Sequence, residues 1–312
     1  MAEVICAGVH VLDVLGGPLP PGVDPWTPQL VDRIRLTVAG TAGGVAVDLA
    51  RLGVRVAAVG MLGADEAGDF IVRVAAAAGV DTTGLRRTTE RQTSTSMLLI
   101  DSQGERIPVH VVGANALVEP DQIVADAETK VFHLGGLDVM PQLWEHAGKL
   151  LQRVRETGAV TTLDLLASTI RRPAIDWEAV LPQADWFMPN EHQLAALSGT
   201  TDRHAAVEWA LAHGANRVAL TLGADGCLLG LPGQPPRTIP TMPVDVVDTT
   251  GCGDAFSAGL IAAIVGGHDD LTAVEWGLVA GSLNARDLGS DAGAQSFDEL
   301  HAAITDAQQR AL

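Results

Sequence analysis

Lysine is nearly absent from this chain of 312 residues, which contains only Lys130 and Lys149. Neither lysine stands in a glycine-rich loop, and no G-x-x-x-x-G-K-[ST] run occurs, so the sequence excludes P-loop chemistry at the level of the motif. Cysteine is also scarce, because Cys6, Cys227 and Cys252 are odd in number and are not spaced as metal ligands. This cysteine usage fits a reducing cytoplasm.

Basic residues are outnumbered by acidic ones, and the formal net charge is −18. A chain with this charge is repelled by nucleic acid and by anionic lipid surfaces, so we expect neither a nucleic-acid partner nor a membrane partner. The N-terminal segment lacks the basic stretch of a signal peptide, and no apolar run reaches the length of a transmembrane helix. We therefore expect a cytoplasmic protein.

Apolar runs alternate with helical patterns along nearly the whole chain, and hydrophobic residues make up 47% of it. This alternation predicts an α/β protein whose mainly parallel sheet is covered by helices on both faces. Two segments, at about 10–40 and about 93–112, contain runs that alternate polar with apolar residues, a pattern typical of strands that are wet on one face. The run Asp101-Ser102-Gln103-Gly104 indicates a hairpin turn in the second segment. We expect one domain over residues 1–312, with these strands in a smaller β layer.

The most informative stretch covers residues 248–254 and reads D-T-T-G-C-G-D. The apolar run Val244–Val247 precedes it and a small-residue helical pattern follows, which predicts a turn from a strand into a helix. The first N–H groups of a helix lack intrahelical partners and attract anions such as phosphate. Gly251 and Gly253 let the backbone approach the anion closely. Asp254 stands at the mouth of this site, where a carboxylate can take the proton from a hydroxyl that attacks the phosphate.

This stretch resembles the C-terminal signature of the ribokinase-like (PfkB) carbohydrate kinase family, D-T-x-G-A-G-D. The residues that match are Asp248, Thr249, Gly251, Gly253 and Asp254. Cys252 replaces the usual alanine, a small-for-small change. The resemblance implies a three-layer α/β/α fold with a small β-strand lid. It also implies that the turn from Gly251 through Cys252 to Gly253 is the anion hole, that Asp254 is the catalytic base, and that Asp248 and Thr249 belong to the cofactor site.

The resemblance extends to the acceptor site. Residues 39–46 are similar to the family's N-terminal signature, (G/A)-G-x-x-x-N-x-A, which implies that Gly40 lies close to the substrate. The family's asparagine, which binds substrate hydroxyls, falls on Gly44, so this chain lacks that contact. Asp13 stands where a family aspartate binds a sugar hydroxyl, and Asn115 lies in a family segment that can line the substrate site. From the residues alone, Asp13 also suits a solvated turn and Asn115 an ordinary loop.

Three positions fall near family elements for Mg²⁺ and phosphate. Asn190 and Gln193 stand where the family has N-x-x-E. The resemblance therefore implies water-mediated metal binding at Gln193, without the charge of the glutamate that it replaces. Asn190 also suits a helix N-cap. Asp164, at the end of a predicted strand, suits either a metal site or a cap.

Residues 221–226 match the family turn T-x-G-x-x-G, which implies that Thr221, Gly223 and Gly226 contact the nucleotide. The residues alone also allow a tight left-handed turn there. Some members of the family hold a monovalent cation through backbone carbonyls. The corresponding region here consists of the helix 271–286 and the Gly289-Ser290 turn. Potassium activation is therefore a further hypothesis from the resemblance.

Together these features predict a kinase that uses ATP and Mg²⁺ and transfers the γ-phosphoryl group to a hydroxyl of a small sugar or nucleoside. Two alternatives stay open. The acceptor is a nucleoside or a sugar phosphate in the same fold, or the chain is a catalytically weak nucleotide-binding regulatory protein. The departures at Gly44 and Gln193 allow the second alternative. Thr41 stands where several sugar-phosphate-using relatives carry lysine, which disfavours a phosphorylated acceptor. The resemblance also implies a homodimer through the lid.

Overall fold

A computed structural model describes residues 2–19, 27–28, 30–101, 106–125, 127–166 and 175–310. The strands are β1 (Val4–Gly8), β2 (Val11–Leu19), β3 (Arg33–Ala39), β4 (Val56–Gly63), β5 (Asp81–Thr88), β6 (Thr95–Asp101), β7 (Arg106–Val111), β8 (Val131–Gly135), β9 (Val160–Asp164), β10 (Trp186–Phe187), β11 (Val218–Thr221), β12 (Cys227–Gly230) and β13 (Arg237–Ile239). The α-helices are α1 (Gly43–Arg51), α2 (Glu66–Ala78), α3 (Ala147–Glu156), α4 (Trp177–Val180), α5 (Glu191–Ser198), α6 (Arg203–Ala212), α7 (Cys252–Val265), α8 (Asp270–Asn284) and α9 (Phe297–Arg310).

Nine strands form one large sheet in the order β13-β12-β11-β10-β9-β8-β1-β4-β5. Every neighbouring pair from β11 to β5 is parallel, and β12 and β13 extend the sheet with antiparallel pairs. Central strands β1 and β8 are buried along their whole length, as expected for parallel strands with cover on both sides. This arrangement confirms the predicted α/β/α fold.

Two apolar clusters fill the space between this sheet and its helices. Along β1, Val4 and Cys6 join one cluster, with side chains of α1, α2, α7, α8 and α9. Ile5 and Ala7 join the other, with side chains of α3, α4, α5 and α6. Because successive residues of a strand point to opposite faces, the two clusters lie on the two sides of the sheet.

The second sheet, here called the lid, has the strand order β3-β2-β6-β7. Its β6–β7 pair is antiparallel and confirms the predicted hairpin, although residues 102–105 of the turn lie outside the described residues. Along β6, Leu98 and Ile100 are buried whereas Met97 and Leu99 are exposed. One face of the lid therefore covers the molecule and the other faces outward. The assignment of residues 1–312 to one domain stays a prediction.

The prediction of a strand directly before the 248–254 turn is wrong, because residues 244–247 form no strand. Val246 and Val247 are half exposed. The N–H group of Val247 donates to the carbonyl of Ala285, just after α8, at 2.8 Å instead of to a neighbouring strand. The apolar run is an irregular connection joined to the end of α8 by this hydrogen bond, and α7 packs directly on α8. Within the described ranges, no helix combines the length and apolarity needed to cross a membrane.

Candidate functional site

A cavity of about 740 Å³ lies between the inner face of the lid and the carboxyl ends of the central strands. This is the edge of a parallel sheet at which ligands usually bind. The predicted site residues that line the cavity are Asp13, Gly40, Asp164, Asn190, Gln193, Thr221, Thr249, Gly251, Gly253 and Asp254. The predicted residues outside its lining are Gly44, Asn115, Gly223, Gly226, Asp248 and Cys252.

The glycine turn begins α7, and its conformation requires glycine at one position. Gly251 has φ +79°, in the left-handed region, and a Cβ placed there would lie 2.5 Å from the Cα of Ser290. Asp248 is fully buried and holds the turn, because its carboxylate accepts from the N–H and hydroxyl of Thr250, at 2.9 and 2.7 Å. Its second oxygen accepts from the N–H of Gly289 at 2.9 Å. The contacts of Asp248 are thus to the turn and to the 289–290 loop.

Asn284 is a support of this turn that the sequence reasoning missed. It is fully buried at the end of α8, and its side-chain amide donates to the carbonyl of Thr250 at 2.7 Å. The same amide nitrogen lies 3.8 Å from the sulfur of Cys252. The turn is therefore supported from α8 by a residue more than thirty positions away, and no local motif marks it.

Asp254 lies in the first turn of α7, is partly buried and faces the cavity. A Cβ placed on Gly44 would lie 2.7 Å from the Oδ2 atom of Asp254. The Asp254 carboxylate therefore packs directly against Gly44, although Gly44 does not line the cavity. One helical turn later, Asp48 is also buried, and desolvation raises its pKa well above the usual range, with the charge of Asp254 as a further contribution. Because Gly44 has no side chain, the Asp254 carboxylate has room at this position, a relation that the family motif does not reveal.

We expect Gly44→Ala to lower kcat by up to about 100-fold, because a small displacement of a catalytic group has effects of that size. The fold should tolerate the change, since the atom that must move is the end of the flexible Asp254 side chain. Steady-state kinetics and thermal unfolding of the variant check this expectation. Gly43→Ala is the matched control, because its Cβ would point at His10 and not at Asp254. Equal kcat values for the two variants would contradict the close approach.

On the lid, Asp13 is buried and accepts a hydrogen bond of 2.9 Å from the hydroxyl of Ser290. Both residues line the cavity. Gly40 also lines it, with φ +89°, and a Cβ there would lie 2.6 Å from the carbonyl oxygen of Val9. Asp13 is thus a buried carboxylate at the cavity wall, and not a solvated turn residue. The sequence marks Ser290 only as part of the Gly289-Ser290 turn, and nothing in it indicates the hydrogen bond that orients Asp13.

Asn115 is fully buried and pairs with the backbone of His10. Its amide donates to the carbonyl of His10 at 3.1 Å, and its oxygen accepts from the N–H of the same residue at 3.2 Å. These bonds fix the point where the chain passes from β1 to the lid strand β2. The contacts are therefore structural, and direct binding of substrate by Asn115 stays a prediction.

Asn190 and Gln193 form a capping box at the start of α5 and also line the cavity. The Oε1 atom of Gln193 accepts from the N–H of Asn190, and its Nε2 atom donates to the carbonyl of Leu165, both at 2.8 Å. Thr221, at the end of β11, lines the cavity beside them. Gly223 and Gly226 have φ of +57° and +92° and shape the turn that follows. Their contact with a nucleotide stays a prediction.

Asp164 ends strand β9 and is buried at the cavity floor. It accepts from the N–H of Leu165 at 2.7 Å and from the hydroxyl of Ser257 at 3.5 Å. Burial raises the pKa of Asp164 well above its usual range, and the charge of Asp254 raises it further. Among the described residues, no group of three or more His, Cys, Asp or Glu side chains is placed to hold a metal ion.

Comparison with known proteins agrees with this geometry. The model of the pfkB family carbohydrate kinases matches residues 22–296. An ATP-dependent ribose-1-phosphate kinase of Halopiger xanaduensis is 30% identical over 80% of this chain and 81% of its own. An aminoimidazole riboside kinase of Salmonella typhimurium is 29% identical over 71% and 72%. The fold matches that of a ribokinase from Thermotoga maritima with a TM-score of 0.81 and 22% identity, over 98% of this chain and 100% of that one.

The family match spans most of the chain and includes both the glycine turn and Asp254. Enzymes of this family transfer a phosphoryl group to an alcohol group of their acceptor. The chain belongs to the pfkB family of carbohydrate kinases.

Proposed function

We propose that this protein transfers the γ-phosphoryl group of ATP to a hydroxyl of a small sugar-like acceptor. The observation that carries the proposal is the position of Asp254, whose carboxylate faces the cavity from the first turn of α7, beside the glycine turn. The buried carboxylate of Asp13 lines the same cavity from the lid. Their common cavity supports a phosphate site, a base and a hydroxyl-binding carboxylate within reach of one acceptor.

In this mechanism Asp254 takes the proton of the acceptor hydroxyl as its oxygen attacks the γ-phosphorus. The bond from the γ-phosphorus to the bridging oxygen breaks, and ADP leaves. The N–H groups at the turn Gly251–Gly253 stabilise the negative charge on the phosphoryl group in flight. Asp13, held by Ser290, orients the acceptor through its hydroxyls.

We propose Mg²⁺ as the partner of ATP, with Asp164 and the Gln193 amide near it through water. Both side chains line the cavity, and hard cations prefer such oxygen donors. Bound to the phosphates, Mg²⁺ would offset their negative charge in a protein of net charge −18. The capping hydrogen bond supports an outer role for Gln193, because its oxygen already accepts from the N–H of Asn190.

Potassium activation is a separate proposal for the loop beside the glycine turn. The amide of Asn284 donates to the carbonyl of Thr250, so part of the stabilisation that a cation would give this carbonyl is already present. We therefore expect only a modest rate increase in potassium over tetramethylammonium salts at equal ionic strength. A rate that collapses without potassium would contradict a supporting role for Asn284.

The alternative of a phosphorylated acceptor is less well supported by the cavity. Among the described residues that line it, the acidic side chains are Asp13, Asp164 and Asp254, and no lysine or arginine is present. Recognition of a second phosphate normally uses such cations. The relative that acts on ribose 1-phosphate is therefore a weaker guide to the acceptor than to the reaction.

The test is ADP release from Mg·ATP with a panel of free sugars, sugar phosphates and nucleosides, with Asp254→Asn as the control. Turnover that depends on one acceptor class and disappears in the variant supports the kinase. ATP binding without turnover on any acceptor supports the alternative of a nucleotide-binding regulatory protein.

We further propose that the lid mediates a homodimer. Its outer face exposes a row of large apolar side chains, namely Ile34, Leu36, Met97, Leu99, Val109 and Val111. An apolar patch of this kind usually marks an interaction surface. A second copy of the chain can cover it with the same face. Light scattering should show a dimer that Leu99→Lys converts to a monomer, whereas Val124→Lys, at an exposed site outside the lid, leaves it intact. A monomeric wild type would overturn the proposal.

A further inference from the structure

The inner face of the lid carries one polar row that crosses all four strands. The strand register places Thr37 opposite Asp13, Asp13 opposite Ser96, and Ser96 opposite His110. Neighbouring strands lie about 4.8 Å apart, so Asp13 and His110 are separated by roughly 10 Å along this row. Asp13, Ser96 and His110 all line the cavity. The row therefore presents hydrogen-bonding groups at two separate places along one wall.

The far end of this row is a hydrogen-bonded pair. The hydroxyl of Ser96 and the Nδ1 atom of His110 lie 3.0 Å apart. His110 is exposed, but partial desolvation of its ring lowers the pKa of His110, which favours the neutral imidazole. A neutral imidazole and a hydroxyl can each donate and accept hydrogen bonds. The pair thus suits an uncharged polar edge and provides no fixed charge for a phosphate.

The wall around this pair is apolar. Leu98 and Pro108 line the cavity in the next row of the lid, two residues along each strand. Val11, on the opposite side of the polar row, also lines the cavity. Val139, which lies outside the lid, lines it as well. A buried hydroxyl without a partner is costly. A free sugar, with hydroxyls around its whole ring, would place several of them against these apolar side chains.

We propose that the acceptor is a nucleoside, whose sugar hydroxyls face Asp13 and Asp254 and whose heterocycle is bound at the lid by Ser96 and His110. The flat face of a heterocycle packs on apolar side chains such as Leu98 and Pro108, while its edge carries the donors and acceptors that the pair can meet. The length of the polar row also fits a molecule of two joined rings better than a single sugar ring. This inference rests on the proposed kinase function and specifies its acceptor.

The experiment measures ADP release with adenosine, inosine, cytidine and uridine, and with free ribose and fructose. The variants Ser96→Ala and His110→Leu each remove one member of the pair, and His110→Gln keeps a hydrogen-bonding side chain. Thr95→Ala is the matched control, because Thr95 precedes Ser96 on the same strand and faces away from the cavity. We expect each disabling variant to raise the KM of the preferred nucleoside about 3- to 10-fold, the usual effect of one hydrogen bond. The KM of ATP should not change, and His110→Gln should recover part of the loss.

Turnover with ribose or fructose but with no nucleoside would overturn the inference and leave the kinase proposal standing. Nucleoside turnover that Ser96→Ala and His110→Leu do not affect would also overturn it, because another surface would then bind the heterocycle. If no acceptor supports turnover, calorimetry with adenosine and cytidine separates the two proposals. Nucleoside binding that His110→Leu weakens would support the site without the reaction, and no binding would overturn the site.

Discussion

Asp254→Asn should lower kcat by about 10²- to 10⁴-fold, the range that general base catalysis contributes. Asparagine has nearly the shape of aspartate, so the variant should keep the packing of this side chain against Gly44. It cannot take the proton of the acceptor hydroxyl. Removing a negative charge beside the phosphate site should leave ATP binding equal or tighter. The measurements are single-turnover rates and the Kd of ATP for both proteins.

The matched control for this variant is Asp245→Asn. Asp245 is exposed in the connection before the glycine turn and does not line the cavity, so the same chemical change there should leave kcat unaltered. Turnover by Asp254→Asn at the wild-type rate would show that another group accepts the proton. Asp164 would then be the first candidate, because it lines the same cavity and its pKa is raised by burial and, in addition, by the charge of Asp254.

Gly251→Ala should reduce both stability and phosphoryl transfer. A residue with a side chain at φ +79° costs about 1–2 kcal/mol in the left-handed region. The new Cβ would also lie 2.5 Å from the backbone of Ser290, and overpacking of this kind costs about 1–3 kcal/mol. Relief of that contact would tilt the turn and move its N–H groups away from the phosphoryl oxygens. Loss of such donors lowers kcat by about 10²- to 10³-fold.

Gly253→Ala is the control that separates backbone strain in the turn from steric obstruction of the bound phosphate. A Cβ at Gly253 meets no atom within 4 Å, and its φ lies outside the left-handed region. Alanine there should keep or raise the free energy of unfolding, since it favours the helix over glycine by about 1 kcal/mol. Any loss of activity would then arise from its contact with the bound phosphate. Equal unfolding free energies for the two variants, measured by denaturant titration, would contradict the strain at Gly251.

Some of these predictions rest on features that the sequence alone shows, and others rest on contacts that only the tertiary structure shows. The glycine turn, its proposed role as an anion site and the proposed role of Asp254 as base follow from seven adjacent residues, because a helix N-terminus is a local feature. The alternation of strands and helices predicted the layered sheet for a similar reason, since each period depends on neighbouring residues. The lid hairpin was marked by its turn residues. Residues 244–247 were the exception, because an apolar run indicates burial or extension and not a partner strand.

The contacts that tune the site join residues far apart in the chain. Asn284 contacts Thr250 only because α8 packs on α7. Gly44 contacts Asp254 only because α1 packs on α7. Helix packing depends on the shapes of whole surfaces, so no spacing in the sequence announces these pairs.

The polar row of the lid depends on register in the same way. A shift of one residue in the pairing of β2 with β6 would place Thr95 or Met97 opposite Asp13 and remove Ser96 from the polar row. The residues alone thus predicted the type of fold, which the structure confirms, and led to the proposals of the phosphate turn and the base, because these features depend on neighbours in the chain. Only the tertiary structure decided three features: the hydrogen bond from Asn284 to the turn, the contact of Asp254 with Gly44, and the polar row of the lid. Packing and strand register bring together side chains that lie far apart in the sequence.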